Sequence, residues 1–371
     1  MRLNKTIRQI GSAKMNLHLL VIFGKDAENS PLAVALKNLG VQLTTFSNAI
    51  RLNYPQPALR YLVGWPHLMM FSITTAIRSL HSKPPAEVVI VNTHFDLLAF
   101  ALISRILRRP LPKLVLPGFI YTDSNQSVLA NFKMAYYHRV LRYTDVVICH
   151  SHLEVEKNKI RFAGAATEFV YFPYATHVSG ASDRSSAESD TSFVVSAGRS
   201  GRDYELLIEA VRGMNLDLHI VCDQFPEALR AGLPSNVTIL DDCYGDCYFD
   251  ELIKCRFVVL PLSVNDISAG QMVLLQAMAL GKPVIITRTA TTIDYVQDGD
   301  GVLLVEPKDN SAMSHAIQRL HADDSLRHNL GKQASEIFAK RYSIEAYAAH
   351  LVDAARMACD SRSHQHDEPT P

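Results

Sequence analysis

The stretch NDISAGQMVLLQAMALGKPVI, residues 265–285, sets the small residues Ser268, Ala269 and Gly270 before a run, Met272 to Leu280, that is apolar except for Gln276. A helix opening on small residues lets a ligand approach its backbone, and its first N–H groups lack intrahelical partners and favour an anion. Ser268 and Gln271 add a hydroxyl and an amide that can hydrogen-bond a phosphate. A helix apolar all round is buried, and a buried amide needs a partner. Gln276 is therefore either tied to a neighbouring backbone group or turned to a ligand hydroxyl. Gly281 at C′ and Pro283 just beyond stop the helix. The other cluster with ligand chemistry is Cys243, Cys247 and Cys255. No fourth zinc ligand stands at a sensible spacing, so no metal is expected. The six cysteines form no close-packed framework, which fits a reducing, cytoplasmic compartment.

The elements that must position these residues alternate along the chain. LHLLVIF (17–23) reads as a buried strand, Ser30 and Pro31 supply an N-cap and N1 proline, and Gly40 ends that helix before strand 41–46. Strands at 87–92, 113–117, 145–150 and 168–173 are separated by helices near 96–108, 127–143 and after 150. Residues 175–192, rich in Ser, Ala and Asp, form a linker. The alternation then restarts at FVVS and runs through RFVVLP, the helix of residues 270–280, PVIIT and VLLV, with helices near 311–321, 325–338 and 343–358. Near-continuous Val/Ile/Leu strands between helices indicate parallel sheets covered on both faces. The expected fold is α/β, two tandem Rossmann-like doubly wound domains with a cleft between them. The boundaries read 1–16 leader, 17–178 first domain, 179–192 linker, 193–342 second domain, 343–360 C-terminal helix and 361–371 tail.

A length of 371 residues, 48% hydrophobic and 20% charged, is that of an ordinary two-domain globular protein. No apolar run approaches the roughly 18 residues of a membrane span, and the basic N-terminus lacks a signal-peptide cleavage site. The net charge of zero hides an asymmetry: residues 1–180 hold 20 Lys and Arg against 9 Asp and Glu, and residues 181–371 hold 17 against 28. Such a split suggests that the halves face different partners, and the basic half could meet an anionic membrane or substrate.

QAMALGKPVI followed by DYVQDGDGVLLVEP resembles the C-terminal domain of glycosyltransferases of the GT-B fold, family 4 in particular. SAGRSGRDYELLIEAV (196–211) resembles the start of that donor domain. LRYTDVVICHSHLEVE (141–156) and VYFPYATH (170–177) resemble the end of the acceptor domain. The resemblance implies transfer of a sugar from a nucleotide diphosphate sugar to a glycan or lipid-linked acceptor in surface polysaccharide biosynthesis, with no cofactor or metal. It places Arg199 and Arg202, following Gly198, on the donor phosphates, where two cations can neutralise a diphosphate leaving group. The sequence departs from the family at two glutamates eight positions apart, which align with Ser268 and Gln276. Donor binding is then expected at Gly198, Arg199, Arg202, Ser268, Ala269, Gly270, Gln271 and Gln276, without the usual charge assistance.

An acceptor hydroxyl attacking in an inverting reaction needs a base. Asp123, His94 and Asp96 lie at carboxyl strand ends of the first half and are the candidates, with Glu28 a weaker one. Each has a structural alternative: Asp96 could be a helix cap, and a lone His is commonly a packing residue. Residues 60–83, 106–113 and 132–143 mix basic, aromatic and apolar character and can rest on a membrane interface; ordinary packed helices account for them equally. A second function class is a catalytically weak GT-B protein that binds nucleotide or glycan as a partner or regulator. A dehydrogenase is disfavoured because no G-x-G-x-x-G follows a first strand, and nucleic-acid binding because no aromatic-basic recognition motif appears.

Overall fold

The computed structural model describes residues 15–21, 27–47, 63–119, 121, 128–176, 178, 193–263 and 268–360. The expected leader up to residue 14, the linker 179–192, the tail 361–371 and Asp123 lie outside the described residues.

The first sheet contains β1 (Asn16–Val21), β2 (Gln42–Ser47), β3 (Val88–Ile90), β4 (Lys113–Pro117), β5 (Val146–Cys149) and β6 (Glu168–Tyr171) in the order β2-β1-β3-β4-β5-β6. Between them run α1 (Pro31–Asn38), α2 (Trp65–Leu80), α3 (His94–Ile106), α4 (Val128–Leu141) and α5 (His152–Arg161). The second sheet contains β7 (Phe193–Ala197), β8 (Asp217–Val221), β9 (Val237–Leu240), β10 (Val258–Leu260), β11 (Val284–Thr287) and β12 (Val302–Val305), ordered β12-β11-β10-β7-β8-β9. Its helices are α6 (Tyr204–Ala210), α7 (Glu227–Arg230), α8 (Asp246–Lys254), α9 (Gln271–Ala279), α10 (Asn310–Ala322) and α11 (Asp324–Arg341), and α12 (Ile344–Asp360) follows. Every described strand pair is parallel, for example Val284 to Val302 through Thr287 to Val305.

Local rules set the ends of these elements. Ser30 caps α1 by accepting from the Ala33 N–H, with Pro31 in the first turn. Gly281, φ +66°, takes the left-handed position after α9 that L residues resist. The inner strands β3, β5, β10 and β11 are apolar and buried at nearly every position because both of their faces are covered. On β10, Val258 and Leu260 pack with Leu274, Leu275 and Met278 of α9. Val259 between them points the other way, toward Leu207 of α6 and Ile317 of α10.

Cα proximity divides the chain into two compact units: residues 1–148, 161–170 and 348–371 form one, and residues 149–160 and 171–347 the other. Neither unit is one continuous piece of sequence. The second takes in most of α5, and the first takes in most of α12. One expectation is corrected: Cys243 and Cys247 are joined as a disulfide, four positions apart. The cysteine pattern therefore does contain a pair, and Cys149, Cys222, Cys255 and Cys359 are free. Among the described residues no group of His, Cys, Asp and Glu is arranged to hold a metal ion, and no helix is long and apolar enough to cross a membrane.

Candidate functional site

In the second unit the carboxyl ends of β7 and β10 bring two segments together. After β7 the chain turns through Gly198 (φ +99°) and Gly201 (φ +64°) to Arg202, which bridges to Leu262 beyond β10. The Arg202 Nε donates to the Ala197 carbonyl at 2.9 Å and its Nη1 to the Ser200 carbonyl at 2.7 Å. This folds the guanidinium back over the strand end. Gly198 suits that turn because its φ of +99° is one that L side chains resist, and a Cβ there would lie 2.5 Å from the Arg202 Nη2 and push the guanidinium aside. A Cβ on Gly270 would lie 3.9 Å from the Arg202 Nη1, so the guanidinium sits beneath the start of α9.

That helix start has unmet donors. Gly270 is its N-cap in the left-handed conformation, with no side chain capping the first turn. The first N–H groups, those of Gln271, Met272 and Val273, have no acceptor within the helix. The buried Ser268 Oγ and Gln271 Nε2 have no hydrogen-bond partner among the described residues. Arg202 pairs with no carboxylate among the described residues, and burial holds its pKa below the ordinary value. A partly buried cation, unmet N–H groups and two unpartnered polar side chains together describe a site for an anion.

Arg199 stands apart from this. It is exposed, and its Nη1 meets the Asp223 Oδ2 at 3.0 Å. Gln276 resolves its alternatives by a third route: its Oε1 accepts from the Tyr248 hydroxyl at 2.7 Å. Tyr248 belongs to α8 and follows the disulfide-bonded Cys247. Sequence reasoning missed Tyr248, and it missed Glu154. The Glu154 carboxylate is buried in the first turn of α5, accepting from the His150 N–H at 2.9 Å and the Ser268 N–H at 3.3 Å. A carboxylate thus reaches position 268 from elsewhere in the chain. The only advance signal was its place in the motif LRYTDVVICHSHLEVE.

The base candidates lie in the first unit. His94 is the first residue of α3, packed edge-on against Tyr136 and Tyr137 at 5.6 Å each, and burial lowers its pKa. Asp96 forms a capping box with Thr93 and accepts from Ser72 at 2.5 Å, from the Asn92 N–H at 3.1 Å and from the Thr93 N–H at 2.9 Å. It is wholly buried, and these bonds take up its acceptor capacity. Glu28 is exposed beside Lys37 at 3.8 Å. Asp123 is outside the described residues. A cavity of about 500 Å³ lined by Glu209, Gly213, Ser314 and His321 lies toward the amino end of β8. That is the wrong end of an open parallel sheet for its main ligand.

Residues 193–323 match the family model for glycosyl transferases group 1. The chain is 28% identical over 146 residues to an uncharacterised glycosyltransferase of Methanocaldococcus jannaschii, covering 38% of this chain and 40% of that protein. It is 34% identical over 74 residues to the lipopolysaccharide core biosynthesis glycosyltransferase LpsE of Rhizobium meliloti, covering 20% and 22%. The matches thus span less than half of each relative. In structure it resembles sucrose-phosphate synthase from Thermosynechococcus elongatus, with TM-score 0.63 and 18% identity over 92% of this chain and 98% of that one. It also resembles Anabaena HepE in complex with UDP and glucose, with TM-score 0.55 and 17% identity over 92% and 99%. The fold is GT-B, α/β with two Rossmann-like units, and the resemblance read from the sequence is borne out.

Proposed function

We propose that this chain is a glycosyltransferase whose second unit holds a nucleotide diphosphate sugar, and which passes the sugar to a glycan or lipid-linked acceptor in surface polysaccharide biosynthesis. One observation carries the reading. Arg202, which has no carboxylate partner among the described residues, lies by the start of α9. There the N–H groups of Gln271 to Val273 have no acceptor in the helix, and the Ser268 hydroxyl and Gln271 amide nitrogen have no hydrogen-bond partner among the described residues. A diphosphate brings the negative charge and acceptor oxygens that such a set lacks. It is also the leaving group, so the same contacts strengthen as the glycosidic bond to phosphorus-bound oxygen breaks. Arginine and helix N-terminus supply the positive charge without a metal. In this reading His94 is the base that takes the acceptor proton, because it stays neutral at physiological pH and Asp96 is fully bonded. Support for the donor class comes from HepE, solved with UDP-glucose, and for the pathway from LpsE, named for lipopolysaccharide core biosynthesis. The place of work is the cytoplasm, at the inner face of the plasma membrane.

The second reading, a binding protein with little turnover, is favoured by positions 268 and 276. Both lack the carboxylates of the family pattern, and the Gln276 oxygen is already engaged by Tyr248. Thermal unfolding with UDP, GDP, ADP and the thymidine and cytidine diphosphates tests the donor site. A ligand at a hundred times its Kd adds about 2.7 kcal/mol to the folded state, a visible shift in Tm. One nucleotide should stabilise the wild type and fail with Arg202→Ala. Stabilisation by none of them would overturn the donor assignment. Stabilisation without sugar transfer to any acceptor would favour the binding protein.

A further inference from the structure

We propose that the outer face of α2, α3 and α4 in the first unit is a docking surface for an anionic lipid bilayer. Sheet order puts these helices in one layer. The connections β2 to β3, β3 to β4 and β4 to β5 all step in the same direction across the sheet, and right-handed crossovers then place their helices on the same side. α2 packs on α3 and α3 on α4.

The exposed stripe of this layer has an unusual composition. Met70 and Ile77 of α2, Leu102 and Ile106 of α3 and Phe132 of α4 are exposed, from 39% for Ile77 to 70% for Phe132. Helical spacing sets Arg78 about two turns from Met70 on its own face, Arg105 one turn from Leu102, and Arg139 two turns from Phe132 on its own face. All three arginines are exposed. Asp96 is the one acidic residue in the three helices, and it is buried inside its capping box. A surface meant only for water would intersperse both signs of charge and keep large apolar groups few.

The pairing of exposed aliphatic and aromatic side chains with arginines that meet no carboxylate among the described residues selects the occupant. A second copy meeting this face with the same face would set like charges against each other. A nucleic acid would match the arginines but leave Met70, Leu102, Ile106 and Phe132 against phosphate and sugar. An anionic bilayer satisfies both parts: headgroup phosphates meet the guanidinium groups, and the apolar side chains enter the interface. The proposal stands on this surface alone and does not depend on the transfer reaction.

The test is co-sedimentation of the full chain, without donor or acceptor, with phosphatidylcholine vesicles and with vesicles carrying about 30% phosphatidylglycerol. Partitioning should favour the anionic vesicles by roughly tenfold or more, and weaken as salt shortens the Debye length. The combined variant Arg78→Glu, Arg105→Glu, Arg139→Glu should lose at least that tenfold preference. The pair Ile106→Ser, Phe132→Ser should bind anionic vesicles more weakly while keeping the salt dependence. No preference for anionic vesicles would overturn the proposal, as would a charge-reversed variant that binds like wild type. Equally tight retention of the chain by duplex RNA would also overturn it, by marking a general polyanion surface. The nucleotide-induced Tm shift is read on every variant. If it persists while vesicle binding is lost, the fold and the donor site are intact. If it is missing in the wild type while vesicles still bind, only the donor reading fails.

Discussion

At the scale of single residues, the two arginines after β7 carry the same formal charge and do different things. Arg199 already has Asp223 as partner and is exposed. Meeting a phosphate would exchange one ion pair for another in high dielectric, where such pairs contribute little. Arg202 meets no carboxylate among the described residues beneath α9, with two of its donors holding the loop in shape. Arg202→Ala is expected to weaken nucleotide diphosphate binding by about 1.5–3 kcal/mol, the range for a charge-assisted contact. Arg199→Ala should weaken it by no more than about 1 kcal/mol. Titration calorimetry on the two variants separates them, and equal losses would mean that Arg199 leaves Asp223 to share the phosphate. The sequence placed both arginines at one loop but could not rank them. Their ranking depends on Asp223, in the next strand's loop, and on how the chain folds back over Gly198.

At the scale of elements, caps and stops were legible and side-chain partners were not. Ser30 with Pro31, the start of α9 at Gly270 and its stop at Gly281 follow from contacts within a few residues, which periodicity and turn chemistry encode. The partner of Gln276 is Tyr248, on a different helix, and the Ser268 backbone N–H donates to Glu154 on α5; pairings between distant segments leave no local trace. Tyr248→Phe removes the donor to a buried amide oxygen, and should cost about 1–3 kcal/mol of stability. Urea unfolding of the two proteins measures it, and an unchanged midpoint would mean that Gln276 finds another donor. A buried polar pair also marks β1 and α2. The His18 Nδ1 lies 2.7 Å from the Ser79 Oγ, and burial pulls the His18 pKa from 6.5 to about 4. The native state therefore keeps His18 neutral where the unfolded chain would protonate it. This contribution is full above about pH 6.5 and is lost as the pH falls toward 4, by about 2 kcal/mol at pH 5. The loss of stability from pH 7 to pH 5 should shrink by that amount in His18→Gln. An equal loss in both proteins would place the acid sensitivity elsewhere.

At the scale of the whole molecule, the charge asymmetry and the division into units do not follow the same line. The basic excess lies in residues 1–180, yet residues 149–160 of that half are part of the second unit. Sequence order alone assigns α5 to the acceptor side, because it precedes the linker. Glu154 gives the physical reason for its transfer: one carboxylate joins the amides of His150 and Ser268, tying the first turn of α5 to the loop that opens α9. A ligand that orders the start of α9 should then also quiet α5. Hydrogen exchange with a saturating nucleotide diphosphate is expected to slow at residues 197–204 and 268–276, and at 149–160 as well, with β1 to β4 unchanged. In Glu154→Ala the protection at 149–160 should disappear while that at 268–276 remains. Protection spread evenly over the first sheet would show instead that donor binding is not a property of the second unit. Protection at 149–160 that survived the substitution would remove Glu154 as the link. Backbone packing of α5 would then have to carry the effect by itself.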